Sequence, residues 1–221
     1  MGIRSVGMES FSRKKPQRKR AGQYHHGDLR RALIDQALRT IDRDGVEALT
    51  LRGVGEALGV SRTALYRHFS DKQSLVAAVA REGFRTLRLA LFEAWERAGR
   101  RQAGFEAMGD AYLAFAIAHP AHYRVMFGRF VESTACDPEL IAEATGAFQA
   151  LLDALIERQR EGGVRGDDPV LLARFVWSVV HGIAMLTIDG QLPDGEAAGR
   201  QLNQYASQLL RAAIATGASG V

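Results

Sequence analysis

Apolar residues recur every three to four positions along most of the chain, the spacing that places them on one face of an α-helix. Between Thr50 and Phe69 two such segments are separated by Gly59 and Val60. Thr50 and Ser61 precede the two segments, and their hydroxyl groups can accept a hydrogen bond from the first turn of a helix. The pattern therefore predicts two short helices joined at Gly59, because glycine adopts a left-handed backbone without a Cβ penalty.

Each of these two helices is predicted to have an apolar face and a polar face. The residues of the first helix expected to point inward are Leu51, Val54, Ala57 and Leu58. Leu65 and Phe69 are expected to do the same for the second helix, with Val60 filling the corner. The outward face of the second helix holds Arg62, Thr63, Tyr66, Arg67 and His68. Such a face is typical of a helix that reads DNA, since the major groove admits one α-helix and these side chains reach base edges and phosphates.

Longer helices are predicted on both sides of this segment. A first helix is expected from Asp28 to about Asp44, where Gly45 stops it, and a long one from the cap at Asp71 to about Arg97. Further helices are expected at residues 105–118, 120–127, 138–161, 169–189 and 196–216. No stretch of useful length alternates as a strand does. The sequence therefore predicts an all-α fold of about nine helices.

Charge is distributed unevenly along the 221 residues. The first 100 residues contain 20 Lys and Arg against 11 Asp and Glu, a net charge of +9, and the remainder contains 9 against 14, a net charge of −5. The basic half carries the predicted helix pair, as contact with phosphates requires. Residues 1–23 are the most basic segment and are predicted to be a disordered arm. We interpret the arm as one that reaches DNA phosphates, with a solvated tail as the alternative.

The run from about Asp28 to Leu75 resembles the DNA-binding domain of the TetR/AcrR family of bacterial regulators. The matching positions are Thr50-Leu51-Arg52, Gly59-Val60-Ser61 and Leu65-Tyr66-x-His68-Phe69-x-x-Lys72-x-x-Leu75. The departures are Gly53 and Gly55, since each glycine costs about 1 kcal/mol relative to alanine inside a helix. Gly55 is interpreted as permitting a close contact between helices.

The resemblance implies a helix-turn-helix that binds double-stranded DNA. The residues it assigns to the DNA-binding surface are Thr50, Arg52, Ser61, Arg62, Thr63, Tyr66, Arg67, His68 and Lys72. Tyr66 and Lys72 are expected to contact phosphates. The candidates for reading bases are Arg62, Thr63 and Arg67.

The second half of the chain carries a related resemblance. The run Trp177-Ser-Val-Val-His181-Gly182 is similar to the signature of one class of TetR effector domains, and Tyr24 to Arg30 fits the same class. This resemblance implies a ligand cavity among the helices of residues 76–221. The candidate ligand-binding residues are Trp95, Met108, Tyr112, Phe115, Met126, Phe127, Phe130, Phe148, Phe175, Trp177 and His181. For any one of them, an ordinary place in the hydrophobic core is an equal alternative.

Residues 170–188 are apolar almost all round, more than one side of a small core requires. The segment approaches the length of a membrane span, but Arg174 and His181 lie inside it, so we expect a helix buried in protein and no membrane partner. With the last predicted helix it is expected to form the four-helix interface of a homodimer. The apolar surplus assigned to this interface is Leu171, Val179, Val180, Ile183, Leu186, Leu202, Leu209 and Ala213.

The sequence gives little support for a metal site, a cofactor or catalysis. His25 with His26, and His119 with His122, lack further ligands nearby, so no metal ion is expected. No nucleophile–base pair or pair of carboxylates stands out, so an enzyme is not expected and no cofactor is implied. Cys136 is the only cysteine, so no intrachain disulfide can form and a cytoplasmic location is expected.

Together these observations predict a transcriptional regulator with a basic arm (residues 1–23), a helix-turn-helix domain (24–75) and an effector-binding and dimerisation domain (76–221). The expected activity is repression at a palindromic operator, relieved by a small apolar effector. One alternative is a helical ligand-binding protein or enzyme that uses the C-terminal domain. The other is a nonspecific DNA-compacting protein that uses the basic arm.

Overall fold

The computed structural model describes residues 26–129 and 137–215. Within these two ranges the chain forms nine α-helices and no strand. They are α1 (His26–Ala48), α2 (Leu51–Ala57), α3 (Arg62–Tyr66), α4 (Lys72–Arg97), α5 (Arg101–Ala118), α6 (Pro120–Met126), α7 (Pro138–Arg160), α8 (Pro169–Ile188) and α9 (Gly195–Ile214). The expected all-α fold is confirmed. The basic arm of residues 1–23, together with Phe130 and Cys136, lies outside the described residues.

Local hydrogen bonds begin α2 and α3 at the predicted positions. The Thr50 hydroxyl accepts a hydrogen bond from the Gly53 amide at 3.0 Å, and the Ser61 hydroxyl accepts one from the Ala64 amide at 3.2 Å. Gly59 has a φ of +65° and turns the chain between the two helices. The caps and the turn are therefore set by residues within three positions of each other, as the sequence indicates.

The inward face of the helix pair is smaller than predicted. Its buried residues are Leu51, Val54, Leu65 and Phe69. Ala57 was expected to be buried but is exposed, because α2 ends at this residue. The second helix also ends early, at Tyr66, so Arg67 and His68 lie in the turn that follows it and not on the helix.

Both glycines that depart from the family pattern have a structural role. A Cβ at Gly55 would lie 2.9 Å from Leu65 Cδ2, so the missing side chain lets α2 and α3 pack closely. A Cβ at Gly53 would lie 2.8 Å from the Thr50 hydroxyl oxygen, the atom that caps α2. Glycine therefore lowers helix propensity at both positions, but Gly55 allows the close contact between α2 and α3 and Gly53 leaves the Thr50 cap undisturbed.

The long helix α4 contains 26 residues and spans about 39 Å at about 1.5 Å per residue. A capping box starts it: the Asp71 carboxylate accepts from the Ser74 amide at 2.7 Å, and the Ser74 hydroxyl accepts from the Asp71 amide at 3.3 Å. α4 packs against α1 and also against α5, α6 and α7. α4 therefore contacts α1 and three helices of the C-terminal half, and α1 also contacts α6 directly.

The hydrophobic core is continuous across the predicted domain boundary at residue 75. Buried side chains extend from Leu29 of α1 through Val79 of α4 to Ile183 of α8. α4 and α6 approach closely, because a Cβ at Gly83 would overlap the Met126 sulfur atom. The division into residues 24–75 and 76–221 stays a prediction.

Candidate DNA-binding surface and ligand cavity

Most side chains assigned to DNA binding are accessible to a partner. The exposed ones are Thr50, Arg52, Ser61, Arg62, Thr63, Tyr66 and Arg67, whereas His68 and Lys72 are half-buried. Thr50 and Ser61 use their hydroxyl groups as helix caps. Their side chains therefore position α2 and α3, and the basic and aromatic side chains beyond them form the accessible surface.

The exposed cations of this surface make only weak contacts within the protein. Arg52 Nε lies 2.6 Å from Glu56 Oε1, and both side chains are well exposed. The guanidinium carbon of Arg62 lies 5.5 Å from the centroid of the Tyr66 ring. Exposed contacts of both kinds are weak, because water screens the charges and the long side chains lose conformational freedom in making them. Both arginines can therefore exchange these contacts for a phosphate or a base edge.

Lys72 has a structural contact that the sequence does not indicate. Its Nζ donates to the backbone carbonyl oxygens of Val46 at 2.9 Å and Glu47 at 3.2 Å. Gly45, with a non-helical φ of 83°, interrupts α1 just before these two residues, so the ammonium group stabilises the short turn that follows this kink. Lys72 thereby ties the start of α4 to the end of α1.

A cavity of about 330 Å³ lies between α4, α5, α7, α8 and α9. Small-molecule sites range from about 300 to 1,000 Å³, so this volume suits a small ligand. All of its lining side chains are uncharged, and most are aliphatic or aromatic. The predicted residues that line it are Met108, Tyr112, Phe127, Phe148 and Trp177.

Four other predicted ligand residues lie away from this cavity. Trp95 is buried against α5, where a Cβ at Gly104 would lie 2.7 Å from its ring, and Met126 is buried against α4. Phe115 lines a more open groove beside α1 and α6, and Phe175 is 52% exposed on the outer side of α8. Helical periodicity identifies all four as apolar positions, but which neighbour each one meets depends on the packing of the helices.

Several wall residues were not among the predicted ligand-binding residues. They are chiefly Phe105 and Gly109 of α5, Val176 of α8, the α4 residues Phe84, Leu87 and Leu91, and the α9 residues Asn203, Ala206, Ser207 and Leu210. The α4 residues follow the helical repeat that the sequence shows. The sequence does not indicate that Asn203 and Ser207 of α9 line a cavity, since Asn and Ser on a helix are ordinarily solvent-exposed.

A hydrogen-bonded cluster adjoins the wall at Tyr112. The Tyr123 hydroxyl lies 2.7 Å from His181 Nδ1 and 3.0 Å from the Tyr112 hydroxyl. Trp177 Nε1 donates to the Tyr112 hydroxyl at 3.1 Å, and this hydroxyl lies 3.2 Å from His181 Nδ1. His181, which was predicted to bind the ligand, thus contacts the cavity wall from behind through the two tyrosines.

Burial keeps this cluster uncharged. Burial raises the pKa of the Tyr112 phenol to about 12 and raises the pKa of Tyr123 well above its ordinary value. Burial also lowers the pKa of the His181 imidazole. All three groups are neutral at pH 7, so His181 Nδ1 can accept a hydrogen bond from a tyrosine hydroxyl.

A carboxylate contacts two other helices between the DNA-binding surface and the cavity. Glu82 of α4 lies with its Oε1 2.8 Å from Arg31 Nη1 of α1 and 3.5 Å from His122 Nε2 of α6. The His122 imidazole and the Arg31 guanidinium lower the pKa of the Glu82 carboxyl group. The carboxylate therefore holds α1 and α6 against the middle of α4.

An apolar face covers the outer side of α8 and α9. Its exposed residues, which define the α8–α9 face, are Leu171, Phe175, Leu186, Tyr205 and Leu209. Val180 and Ile183 were predicted to belong to it but are buried in the core, and Val179 lines the cavity, because these three lie on the inner side of α8. α8 is long and apolar enough to cross a membrane by length and composition, yet it packs against α5, α7 and α9.

No group of three or more His, Cys, Asp or Glu side chains within residues 26–129 and 137–215 is placed to hold a metal ion. The rings of His119 and His122 are close, with centroids 5.7 Å apart, and Glu82 contacts His122, but these side chains do not form such a group.

Two family models match this chain. The one described as bacterial regulatory proteins, tetR family, matches residues 33–79, which include the helix-turn-helix. The one described as tetracyclin repressor-like, C-terminal domain, matches residues 105–217, which include most of the cavity. The two matches together cover both candidate sites.

Individual relatives are similar over most of the chain. An uncharacterized HTH-type transcriptional regulator of Mycobacterium tuberculosis is 28% identical over 168 residues, which cover 75% of this chain and 72% of that protein. The HTH-type transcriptional repressor AcnR of Corynebacterium diphtheriae is 28% identical over 167 residues, covering 73% and 77%. A solved structure of a protein with unknown function from Rhodococcus sp. RHA1 is 32% identical, with a TM-score of 0.78, and covers 87% of this chain and 98% of that one.

Proposed function

Because the chain belongs to the tetR family of bacterial regulatory proteins, it is a DNA-binding transcriptional regulator, and we propose that it represses its target genes until a small apolar molecule enters the cavity. The observation that carries this proposal is the path of α4. Phe84, Leu87 and Leu91 of this helix line the cavity, and its first residue, Lys72, holds the end of α1. A ligand that displaces the cavity wall therefore acts on the helix that supports the DNA-binding unit.

For the DNA contacts, we propose that Arg62, Thr63 and Arg67 read base edges and that Tyr66 and Lys72 contact phosphates. The exposure of the first four of these side chains at α3 supports this assignment. Arg52 and His68 would add contacts beside them. The operator is double-stranded DNA with two half-sites, and the acidic C-terminal half of the chain stays away from it.

We further propose a homodimer that is formed by the α8–α9 face. The α8–α9 face exposes five large apolar side chains on two adjacent helices, and a contiguous apolar surface of this kind marks an interaction site. Between Phe175 and Leu186 the stripe passes Gly182, where a Cβ would meet nothing within 4 Å, so a partner helix can approach closely. A two-fold dimer presents two copies of α3, which must lie about 34–36 Å apart to enter successive major grooves.

Ligand binding and DNA binding must oppose each other for the effector to release the operator. An effector that favours a different spacing of the two recognition helices lowers operator affinity, typically by a coupling of about 1–3 kcal/mol. Linkage requires that operator DNA lower the affinity for the effector by the same factor. A regulator bound to DNA acts in the cytoplasm, and the family relationship supports a regulator rather than an enzyme.

Footprinting on the DNA upstream of the protein's own gene tests the proposal. We expect a protected near-palindromic segment whose two halves are about one helical turn apart. Titration with a cavity ligand should then weaken this protection, and operator DNA should weaken ligand binding equally. Uniform protection without sequence preference would favour a DNA-compacting protein, and a tight cavity ligand that leaves operator affinity unchanged would contradict the switching mechanism.

A further inference from the structure

We propose that the effector is an uncharged molecule whose apolar body fills the cavity and whose hydroxyl group binds between Asn203 and Ser207. The inference rests on the proposed function, because it specifies the chemistry of the same effector. Both residues belong to α9 and line the end of the cavity that faces Gly109 of α5.

The absence of charged side chains from the cavity wall argues against an effector with an ionic head group. All side chains that line the cavity are uncharged, and an ion that leaves water for an apolar site without a partner is strongly disfavoured. The Asp110 carboxylate lies behind the wall, and its Oδ1 accepts a hydrogen bond from Asn203 Nδ2 at 2.8 Å. A carboxylate effector would find no cation there and would be repelled by Asp110.

The polar groups at the Tyr112 end are already occupied. A tyrosine hydroxyl donates one hydrogen bond and accepts two. The Tyr112 hydroxyl has three polar neighbours, at 3.0 Å in Tyr123, 3.1 Å in Trp177 and 3.2 Å in His181. The Trp177 N–H, the single donor of its side chain, is used in the same cluster. This end of the cavity therefore offers a ligand aromatic surface and no spare hydrogen bond.

The Asn203 end has spare hydrogen-bonding capacity. The Asn203 side chain is 3% exposed, and its one hydrogen bond among the described residues is the bond from Nδ2 to Asp110. A carboxylate only accepts, so Nδ2 must face Asp110, and Oδ1 remains as an acceptor without a hydrogen bond to the described residues. Ser207, one turn further along α9, lines the cavity with a hydroxyl that makes no hydrogen bond within residues 26–129 and 137–215. Asn203 Oδ1 and the Ser207 hydroxyl are therefore open to a ligand in the cavity, and a ligand that supplies a donor to Oδ1 gains a hydrogen bond.

Gly109 leaves the space that such a group needs. A Cβ at this position would lie 3.9 Å from both Asn203 Nδ2 and Ser207 Oγ, and 4.0 Å from Asn203 Oδ1. A hydroxyl group in this space can donate to Asn203 Oδ1 and accept from Ser207 Oγ at the same time. A ketone or an ether can only accept, so it would leave the Asn203 oxygen unpaired.

Tryptophan fluorescence provides a direct test, because Trp177 lies in the wall and Trp95 is the only other tryptophan. In a Trp95→Phe background, dissociation constants are measured for decan-1-ol, decan-2-one, decanoate and decylammonium. We expect decan-1-ol to bind about fivefold more tightly than decan-2-one, the worth of one buried hydrogen bond, and decanoate to bind most weakly.

Variants locate the binding of the hydroxyl group. Asn203→Ala should abolish the preference for decan-1-ol over decan-2-one, and Ser207→Ala should weaken both about fivefold. Gly109→Ala places a methyl group in the same space at ordinary contact distance, so it should weaken decan-1-ol binding without loss of folding. The control is Ser70→Ala, since Ser70 is exposed just before α4, outside both the cavity wall and the α8–α9 face.

The outcomes separate this inference from the proposed function. Tighter binding of decanoate or decylammonium, equal affinity for alcohol and ketone, an alcohol preference that survives Asn203→Ala, or no binding of decan-1-ol would each overturn the hydroxyl inference. Operator affinity is measured separately in the presence of the bound probe. If decan-1-ol binds with the expected selectivity but leaves operator affinity unchanged, the switching mechanism fails and the ligand chemistry stands.

Discussion

Single side chains in this protein divide between those that serve the fold and those left for a partner. Thr50 and Ser61 serve the fold, because their hydroxyl groups cap α2 and α3. Arg62 and Arg67 are exposed on and just after α3, and the Arg62 guanidinium lies over the face of the Tyr66 ring. The same division holds in the cavity, where Tyr112 is saturated and Asn203 keeps a free acceptor.

The first prediction concerns base reading. Arg62→Ala and Arg67→Ala should each relax sequence preference at one operator position, at a cost of about 1–3 kcal/mol for the preferred base. The measurement is binding to a set of operator duplexes with single base changes. Arg97→Ala, which removes an exposed cation at the far end of α4, serves as the control and should leave the preference unchanged. Full sequence preference in both test variants would place base readout elsewhere.

The second prediction concerns the pH dependence of stability. Burial lowers the pKa of His181, so the unfolded state binds this proton more readily, and stability falls as pH decreases through about 6.5 towards the lower folded value. The lowered pKa values of His119 and Glu82 act in the same direction. His181→Gln should therefore make the free energy of unfolding fall less steeply as the pH decreases. The change in slope should be smaller than about 1.4 kcal/mol per pH unit, the value for one full proton. Urea unfolding between pH 8 and pH 5 measures the free energy of unfolding of both proteins. If its dependence on pH is the same in His181→Gln, the His181 imidazole is not the cause of the pH dependence.

At the scale of helices, close approach depends on small residues at the crossing points. Gly55 brings α2 onto Leu65 of α3, Gly83 brings α4 onto Met126 of α6, and Gly104 brings α5 onto Trp95 of α4. Each contact fixes how one helix is placed against the next. The orientation of α3, and hence of the DNA-binding side chains, depends on the first of them.

The third prediction tests this dependence. Gly55→Val should lower the free energy of unfolding by about 1–3 kcal/mol, because its side chain overpacks the contact with Leu65. It should also lower operator affinity by displacing α3. Gly166→Val is the matched control, since a Cβ at Gly166 meets nothing within 4 Å. Thermal unfolding and operator binding are measured for both variants, and a Gly55→Val protein as stable as the control would contradict the close contact.

The fourth prediction concerns the link between α1 and α4. Lys72→Ala removes hydrogen bonds to two backbone carbonyl groups and should reduce stability by about 1 kcal/mol. If Lys72 also contacts a phosphate, the slope of log affinity against log salt should decrease by about one for every DNA sequence tested. Reduced stability with an unchanged salt slope would limit Lys72 to its structural role.

At the scale of the whole molecule, the chain places its two candidate sites at different positions along one continuous core. The contact of Glu82 with Arg31 and His122 adds an ionic connection between α1 and α6 to the apolar packing. The α8–α9 face lies on the outside of the helices that form the cavity. A dimer formed there would therefore bring the ligand site close to the two-fold axis.

The fifth prediction tests the dimer. Phe175→Arg and Leu209→Arg should each convert the dimer to a monomer, because a charge would be buried in an apolar interface without a partner. Operator affinity should fall with it, since one subunit reaches one half-site. Phe92→Arg is the control: Phe92 is 55% exposed, but it lies on α4 outside the α8–α9 face. Sedimentation equilibrium measures the oligomeric state of each variant. If both variants remain dimers, the α8–α9 face is not the dimer interface.

The sequence by itself determined the local features of this protein. Helix periodicity, the caps at Thr50, Ser61 and Asp71, and the turn at Gly59 could all be predicted, because each depends on interactions between residues a few positions apart. The same is true of the exposed polar face of α3. The family resemblance of the helix-turn-helix consists of these short-range features, so it could be recognised from the sequence alone.

Only the tertiary structure decided which apolar residues face the cavity, the core or the solvent. Phe148 and Phe175 look equivalent in sequence, but one lines the cavity and the other lies on the outer face of α8. The contact of Lys72 with the end of α1 and the buried amide of Asn203 also had no sequence signal. The physical reason is that a helix's rotation about its axis is fixed by residues far away in the chain, and periodicity within one helix does not contain that information.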